Sequence, residues 1–181
     1  EERPAARLAS RKVGVLLNPS ASHFAFGKHQ IRRQLLVAGS QTIHGAYVYA
    51  NLVGNEAGRA IYDGDTMIGV DGVVVASGPR FSYQDVVLTT AVVDVPVVES
   101  TTAVCCEFEL FETAEPVAAD AAEECAWETS MVLKEEEFSR ALSLALFDYM
   151  RKSYSRGFVL SLSGGADSAT VAVLVKLMID F

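Results

Sequence analysis

The sequence predicts an α/β fold in two parts, and three observations lead to that prediction. Short apolar runs of strand length are followed by segments with helical spacing, as at 13–17. An Asp71-Gly72 pair lies between two β-rich runs, which predicts a type I′ hairpin. A further apolar run, 158–162, leads into a glycine-rich turn and then a helix, the order of elements in a parallel nucleotide-binding sheet.

The first part combines a strand–helix–strand pattern with hairpins. Strands are predicted at 13–17 and 46–50, with a helix at 28–41 between them. Three more strands, two around the Asp-Gly turn and one before Pro96, are predicted at 66–70, 73–77 and 86–95.

The second part is predicted to contain a helix, a strand, a loop and a second helix. The helices span 135–152 and 169–179, and the strand between them is the buried run 158–162. The first helix is predicted to bury an apolar stripe made of Phe138, Leu142, Ala145, Leu146, Tyr149 and Met150.

Charge separates these two parts. Residues 99–137 hold 12 of the 23 acidic residues and a single basic residue, Lys134. So acidic a segment, with no clear hydrophobic period, is typical of a solvated linker. We therefore divide the chain into 1–95, an acidic linker at 96–131, and 132–181.

The composition excludes several classes of protein. A net charge of −8 leaves no basic patch for nucleic acid, and no apolar run approaches the ~18 residues of a membrane span. Cys105, Cys106 and Cys125 have no regular spacing, which favours reduced thiols in the cytoplasm over a disulfide framework. The chain begins at Glu1, without Met, and ends within a helical pattern at Phe181, so we expect an internal piece of a longer protein.

The loop Ser-Gly-Gly-Ala-Asp-Ser at 163–168 has the composition of a phosphate-binding loop. Its glycines allow the backbone to approach a bulky anion, and the N–H groups of the following helix start point at that anion. Ser163 and Ser168 add hydroxyl donors. Asp167 repels phosphate by itself, so it indicates a bridging cation, most simply Mg²⁺. The loop has no Gly-Lys-Ser/Thr ending and is not a Walker A loop.

This loop resembles the SGGxDS loop of the N-type ATP pyrophosphatases. In that superfamily the loop holds the β,γ-pyrophosphate of ATP while the substrate attacks the α-phosphate, and a nucleophile then displaces AMP. The resemblance implies Mg²⁺ at Asp167. It also implies ATP-binding residues at Ser161, Leu162, Ser163, Gly164, Gly165, Ala166, Asp167 and Ser168.

The flanking sequence resembles glutamine-dependent NAD⁺ synthetases. The runs 134–141, 146–153 and 157–162 are similar to the start of the synthetase domain of that family. Residues 13–94, through the runs 16–23 and 62–68, resemble the C-terminal half of a nitrilase-superfamily glutaminase. The implied fold is the C-terminal half of a nitrilase-like α-β-β-α sandwich, then the start of a parallel-sheet, Rossmann-like domain of the adenine-nucleotide α-hydrolase type.

The resemblance implies a ligase that amidates deamido-NAD with ATP and with ammonia from glutamine. The family's glutaminase triad of Glu, Lys and Cys would lie upstream of Glu1, so the chain alone is expected to be inactive. The resemblance to nitrilase-type domains also implies a homo-oligomer. Ser22 and Lys28 match glutamine-binding positions of the family. Two rival functions remain open: another amidotransferase-ligase with the same loop, and a non-catalytic nitrilase-like interaction module.

Other conspicuous side chains are interpreted as structural. The linker residue Trp127 is expected to be a packing anchor, and Arg32 with Arg33 is expected to form a solvated helix face. The linker thiols of Cys105 and Cys106 are not expected to replace a catalytic cysteine. The spacing of the three histidines fits no metal motif; they are His23, His29 and His44.

Overall fold

A computed structural model describes residues 4–56, 58–95 and 125–181 of the protein. Cys105, Cys106 and most of the predicted acidic linker lie outside those ranges. The helices are α1 (Pro4–Ala9), α2 (Lys28–Ile43), α3 (Leu133–Lys152) and α4 (Ala166–Asp180), with a short 3₁₀ helix at Ala126–Thr129. The strands are β1 (Val15–Ser20), β2 (Ala46–Asn51), β3 (Val53–Glu56), β4 (Ala60–Asp63), β5 (Thr66–Val70) and β6 (Val73–Ser77).

A four-stranded mixed sheet with the order β1-β2-β5-β6 forms the centre of the first part. β1 and β2 are parallel because α2 connects them, and the remaining pairs are antiparallel. On α2, Leu36 packs into a buried cluster with Tyr49 and Met67 of the sheet. A Cβ at Gly69 would lie 2.3 Å from Leu36 Cδ2, so a larger residue there would displace the buried Leu36 side chain.

The predicted Asp-Gly hairpin is confirmed. Asp71 and Gly72 have φ values of 47° and 86°, the positive values that a type I′ turn needs at both central residues. The Gly72 N–H donates to Ser40 Oγ on α2 at 3.0 Å, so the turn is also tied to the helix.

A second hydrophobic cluster joins the two parts of the chain. β3 and β4 pair as a separate antiparallel hairpin, and α3 packs across it. Phe81 is buried with Ala141 and Leu144 of α3. The Trp127 ring lies 5.8 Å from the Phe81 ring, which confirms the prediction that this tryptophan is a packing residue.

The buried face of α3 differs from the predicted stripe. Phe138 and Tyr149 are 45% and 54% exposed, whereas Glu137 and Asp148 are buried on either side of the Ala141–Leu144 contact. Glu137 accepts a hydrogen bond from Arg80 Nη1 at 2.8 Å. The prediction failed because hydrophobic periodicity cannot identify a face whose ends are buried carboxylates with partners far away in sequence.

Two predicted strands are absent from the described part of the chain. Residues 86–95 and 158–162 form no strand, and much of both runs is exposed. β-propensity reports how well a side chain fits a pleated surface, so a run without a neighbouring strand has no ladder partners for its N–H and C=O groups. Of the described helices, none is long and apolar enough to cross a membrane.

Candidate functional site

The predicted nucleotide-binding loop, residues 161–168 and called the nucleotide loop below, leads directly into the N-terminus of α4. The helix begins at Ala166, three residues before its predicted start, so Asp167 and Ser168 belong to its first turn. Gly165 is the N-cap and supplies no side-chain hydrogen bond. The first N–H groups of a helix have no intrahelical partners, so they remain available to an anion.

Local contacts shape this loop. Gly164 has φ +82°, a conformation that favours glycine. Ser163 Oγ lies 3.3 Å from Ser168 Oγ, which in turn donates to the Gly165 carbonyl at 3.1 Å. Asp167 is exposed in the first helical turn. Uncapped backbone donors, two hydroxyls and one carboxylate fit a phosphate group together with Mg²⁺.

Ser22, one of the two predicted glutamine-binding residues, follows β1, and its backbone N–H and carbonyl are both hydrogen-bonded. Its N–H donates to Asn51 Oδ1 at 2.8 Å, and its carbonyl accepts from Asn51 Nδ2 at 2.9 Å. Arg32 Nη2 donates to the same carbonyl at 2.8 Å and lies 3.3 Å from Ser22 Oγ. Asn51 is the last residue of β2, so a neighbouring parallel strand fixes the loop that leaves β1.

Arg32 is buried, with 6% of its surface exposed, so the prediction of a solvated face is wrong for this residue. Its Nη1 donates to both Asp63 carboxylate oxygens at 2.8 and 2.6 Å and lies 3.4 Å from Asp65 Oδ2. Burial alone lowers the pKa of a guanidinium, but Asp63 outweighs that effect and holds the Arg32 pKa above its ordinary value. The helical pattern gave no sign of these partners because they lie about 30 residues away, at the end of β4 and just before β5.

Lys28 begins α2 and lies beside the same loop. Its Nζ donates to the His23 carbonyl at 2.8 Å, so the structure brings both predicted glutamine-binding residues to one short segment. His29 Nδ1 lies 3.0 Å from Asp65 Oδ2. Among the residues that the structure describes, no group of three or more His, Cys, Asp or Glu side chains could hold a metal ion.

Sequence reasoning missed the polar cluster beneath this loop, which consists of the buried residues Arg32, Asp63 and Asp65 and the half-buried Asn51. One signal was present: Arg32 lies four residues after Lys28, which is one helical turn. Two acidic residues around Gly64, between predicted strands, were a second sign. Buried carboxylates need a cationic or hydrogen-bonding partner, and a buried arginine supplies both.

Comparison with known proteins relates both regions to one kind of enzyme. The family model described as NAD synthase matches residues 138–180. A glutamine-dependent NAD(+) synthetase of Arabidopsis thaliana is 33% identical over 97% of this chain, and the chain spans about a quarter (26%) of that relative's length.

Two solved structures are similar as well. The crystal structure of a glutamine-dependent NAD(+) synthetase from Cytophaga hutchinsonii matches with a TM-score of 0.69 and 42% identity over 94% of this chain and 23% of its own. The enzyme from Acinetobacter baumannii, in complex with adenosine diphosphate, matches with a TM-score of 0.65 and 26% identity, over 96% of this chain and 28% of its own.

Proposed function

We propose that this chain is part of an enzyme that amidates deamido-NAD. Its similarity to glutamine-dependent NAD(+) synthetases covers 92–97% of the chain and about a quarter of the length of each relative. ATP would activate the nicotinate carboxylate as an adenylate, and ammonia from glutamine would displace AMP. The products would be NAD⁺, AMP, pyrophosphate and glutamate. The observation that carries the proposal is the phosphate-type loop at the N-terminus of α4, within the segment that matches NAD synthase.

The nucleotide loop would bind the pyrophosphate part of ATP. Backbone N–H groups at the start of α4 and the hydroxyls of Ser163 and Ser168 provide the donors. Asp167 would hold Mg²⁺, which neutralises charge on the leaving pyrophosphate when bound. Donors that are already oriented towards the developing charge stabilise the transition state without a reorganisation cost. The ADP in the Acinetobacter baumannii relative supports an adenine nucleotide as ligand.

The first part of the chain would belong to the glutaminase. We propose that residues 1–95 are the second half of a nitrilase-like domain, joined by the acidic linker at 96–131 to the synthetase segment at 132–181. Ser22 and Lys28 would bind glutamine, with the Lys28 ammonium as a point charge for the α-carboxylate. Lys28 Nζ donates to the carbonyl of His23, the residue after Ser22, and this proximity supports the proposal. The family's Glu, Lys and Cys would perform the amide hydrolysis from outside this chain.

The decisive experiment is pyrophosphate release by the whole protein with ATP, Mg²⁺ and glutamine. Deamido-NAD, xanthosine monophosphate and aspartate are offered as separate acceptors. We expect release only with deamido-NAD, and a decrease of roughly 100-fold or more in Asp167→Ala, since loss of one charge-stabilising group commonly costs that much. Asp180→Ala, at the exposed far end of the same helix, is the control.

Other outcomes separate the rival functions. Release with a different acceptor would keep the loop chemistry and reject the NAD synthetase assignment. Activity that survives in Asp167→Ala would reject the metal role. A whole protein that releases no pyrophosphate with any acceptor would favour the non-catalytic interaction module.

A further inference from the structure

We propose that Arg32 is a positioning residue for glutamine, which acts by holding the backbone of Ser22 and His23 in place. The inference rests on the proposed function, because it takes Ser22 and Lys28 as the glutamine-binding residues. Arg32 itself is buried and faces the carboxylates beneath the loop, so it would act through its neighbours without touching the substrate.

The Ser22 backbone is fixed from two directions. The side-chain amide of Asn51 makes two hydrogen bonds to this backbone: it accepts from the Ser22 N–H and donates to the Ser22 carbonyl. Arg32 Nη2 donates to the same carbonyl at 2.8 Å and approaches the His23 carbonyl at 3.3 Å. A hydroxyl on so constrained a backbone has little freedom to move, which lowers the entropy that binding must remove.

The two terminal nitrogens of the Arg32 guanidinium have different partners. Nη1 contacts the Asp63 and Asp65 carboxylates, and Nη2 contacts the loop. A planar group with two amino nitrogens can donate to partners on both sides, whereas a lysine carries all three of its donors on one nitrogen and lacks this fixed fork. The buried carboxylates therefore fix the guanidinium, and the guanidinium fixes the loop.

Lys28 depends on the same segment. Its Nζ donates to the His23 carbonyl, which Arg32 Nη2 also approaches. A shift of this carbonyl would thus move a partner of the Lys28 ammonium together with the Ser22 hydroxyl. Both proposed contacts to glutamine would weaken together if the guanidinium were replaced.

The test compares glutamine-dependent and ammonium-dependent NAD formation by the whole protein. In Arg32→Lys we expect the KM for glutamine to rise roughly 10-fold or more, since displacements of about 1 Å can cost up to 100-fold. The kcat with saturating glutamine and the rate with ammonium chloride should stay within about twofold, because free ammonia bypasses the glutamine site. Arg59→Lys, at an exposed arginine in the turn between β3 and β4, is the matched control.

The outcomes distinguish this inference from the proposed function. A wild-type protein that forms no NAD from either nitrogen source would reject both. Normal wild-type activity with an unchanged KM for glutamine in Arg32→Lys would overturn the inference alone, as would an equal loss of ammonium-dependent activity. If Arg32→Lys does not fold, the double variant Arg32→Gln with Asp63→Asn decides: it removes the guanidinium and its buried counterion together, so no buried charge is left unpaired between them. An unchanged KM for glutamine in that variant would overturn the inference.

Discussion

The two predicted ligand loops are built in opposite ways. Arg32 of α2 and Asn51 of β2 hold the Ser22 loop. Asp63 and Asp65, which contact Arg32 from beneath, are fully buried. The nucleotide loop at 161–168 is almost wholly exposed, and the hydrogen bonds of its serine side chains span at most five residues.

This difference separates two ways of preparing a binding site. A loop held by buried partners has its shape before the ligand arrives, and that shape depends on residues distant in sequence. A loop that binds through backbone N–H groups needs only a glycine at a positive φ and a helix start. Substitutions around Ser22 should therefore affect stability, and substitutions in the nucleotide loop should affect binding with little effect on stability.

The largest effect on stability is expected from Asp63→Ala. It leaves the Arg32 guanidinium buried without its main counterion and removes an acceptor from Asn51 Nδ2. Breaking a buried ion pair in this way typically costs about 3–5 kcal/mol. Chemical denaturation of the whole protein measures the change in the free energy of unfolding. Asp94→Ala, at an exposed carboxylate outside the helices and strands, is the control, and equal losses of stability in the two variants would contradict the difference between the loops.

A second buried carboxylate extends the comparison to the contact between α3 and β3. Asp148 Oδ2 accepts from the Asn55 backbone N–H at 2.7 Å, and Lys152 Nζ lies 2.6 Å from the same oxygen. Burial alone raises the Asp148 pKa, but the Lys152 and Asn55 hydrogen bonds, together with Arg151, outweigh it and hold the pKa below its ordinary value.

A lowered carboxyl pKa predicts a defined pH dependence. The stability from ionised Asp148 is fully present above the unfolded-state pKa of ~3.9 and is lost as the pH falls through the lower folded-state value. In Asp148→Asn we expect lower stability at neutral pH and a shallower loss of stability below about pH 4. Urea denaturation at a series of pH values measures both, and parallel acid profiles for variant and wild type would count against this role.

The smallest effect on stability is expected in the nucleotide loop. At Gly164, φ is +82° and no heavy atom lies within 4 Å of an added Cβ, so Gly164→Ala meets backbone strain but no steric clash. We expect a stability cost of about 1 kcal/mol, together with weaker ATP binding. Thermal unfolding and calorimetric titration with ATP measure these two quantities. A cost as large as that of Asp63→Ala would remove the distinction between the loops.

Prediction from the sequence succeeded where the structure of a short segment depends on its own residues. The Asp71-Gly72 turn and the strands at either side of it were placed correctly, because positive φ values and alternating side chains are local properties. Helix α2 also begins where it was predicted, at Lys28. The glycine-rich loop leads into a helix as expected, although that helix begins earlier, at Ala166.

Prediction failed where an element depends on a distant partner. The run 158–162 has the composition of a strand, yet no described strand pairs with it. On α3 the apolar stripe leaves Phe138 exposed while Glu137 is buried against Arg80. Composition reports the tendency of a side chain to be buried, but a buried charge is decided by what lies opposite it.

The Asp71-Gly72 turn and the start of α2 at Lys28 could be predicted from the sequence, because they depend on backbone preferences over a few residues. The tertiary structure accounts for the burial of Arg32, since its partners Asp63 and Asp65 lie 31 and 33 residues away. It likewise decided the junction between Asp148 and Asn55, 93 residues apart. Such pairs form only when the sheet and helices have brought their elements together, because a buried charge is stable only beside its partner.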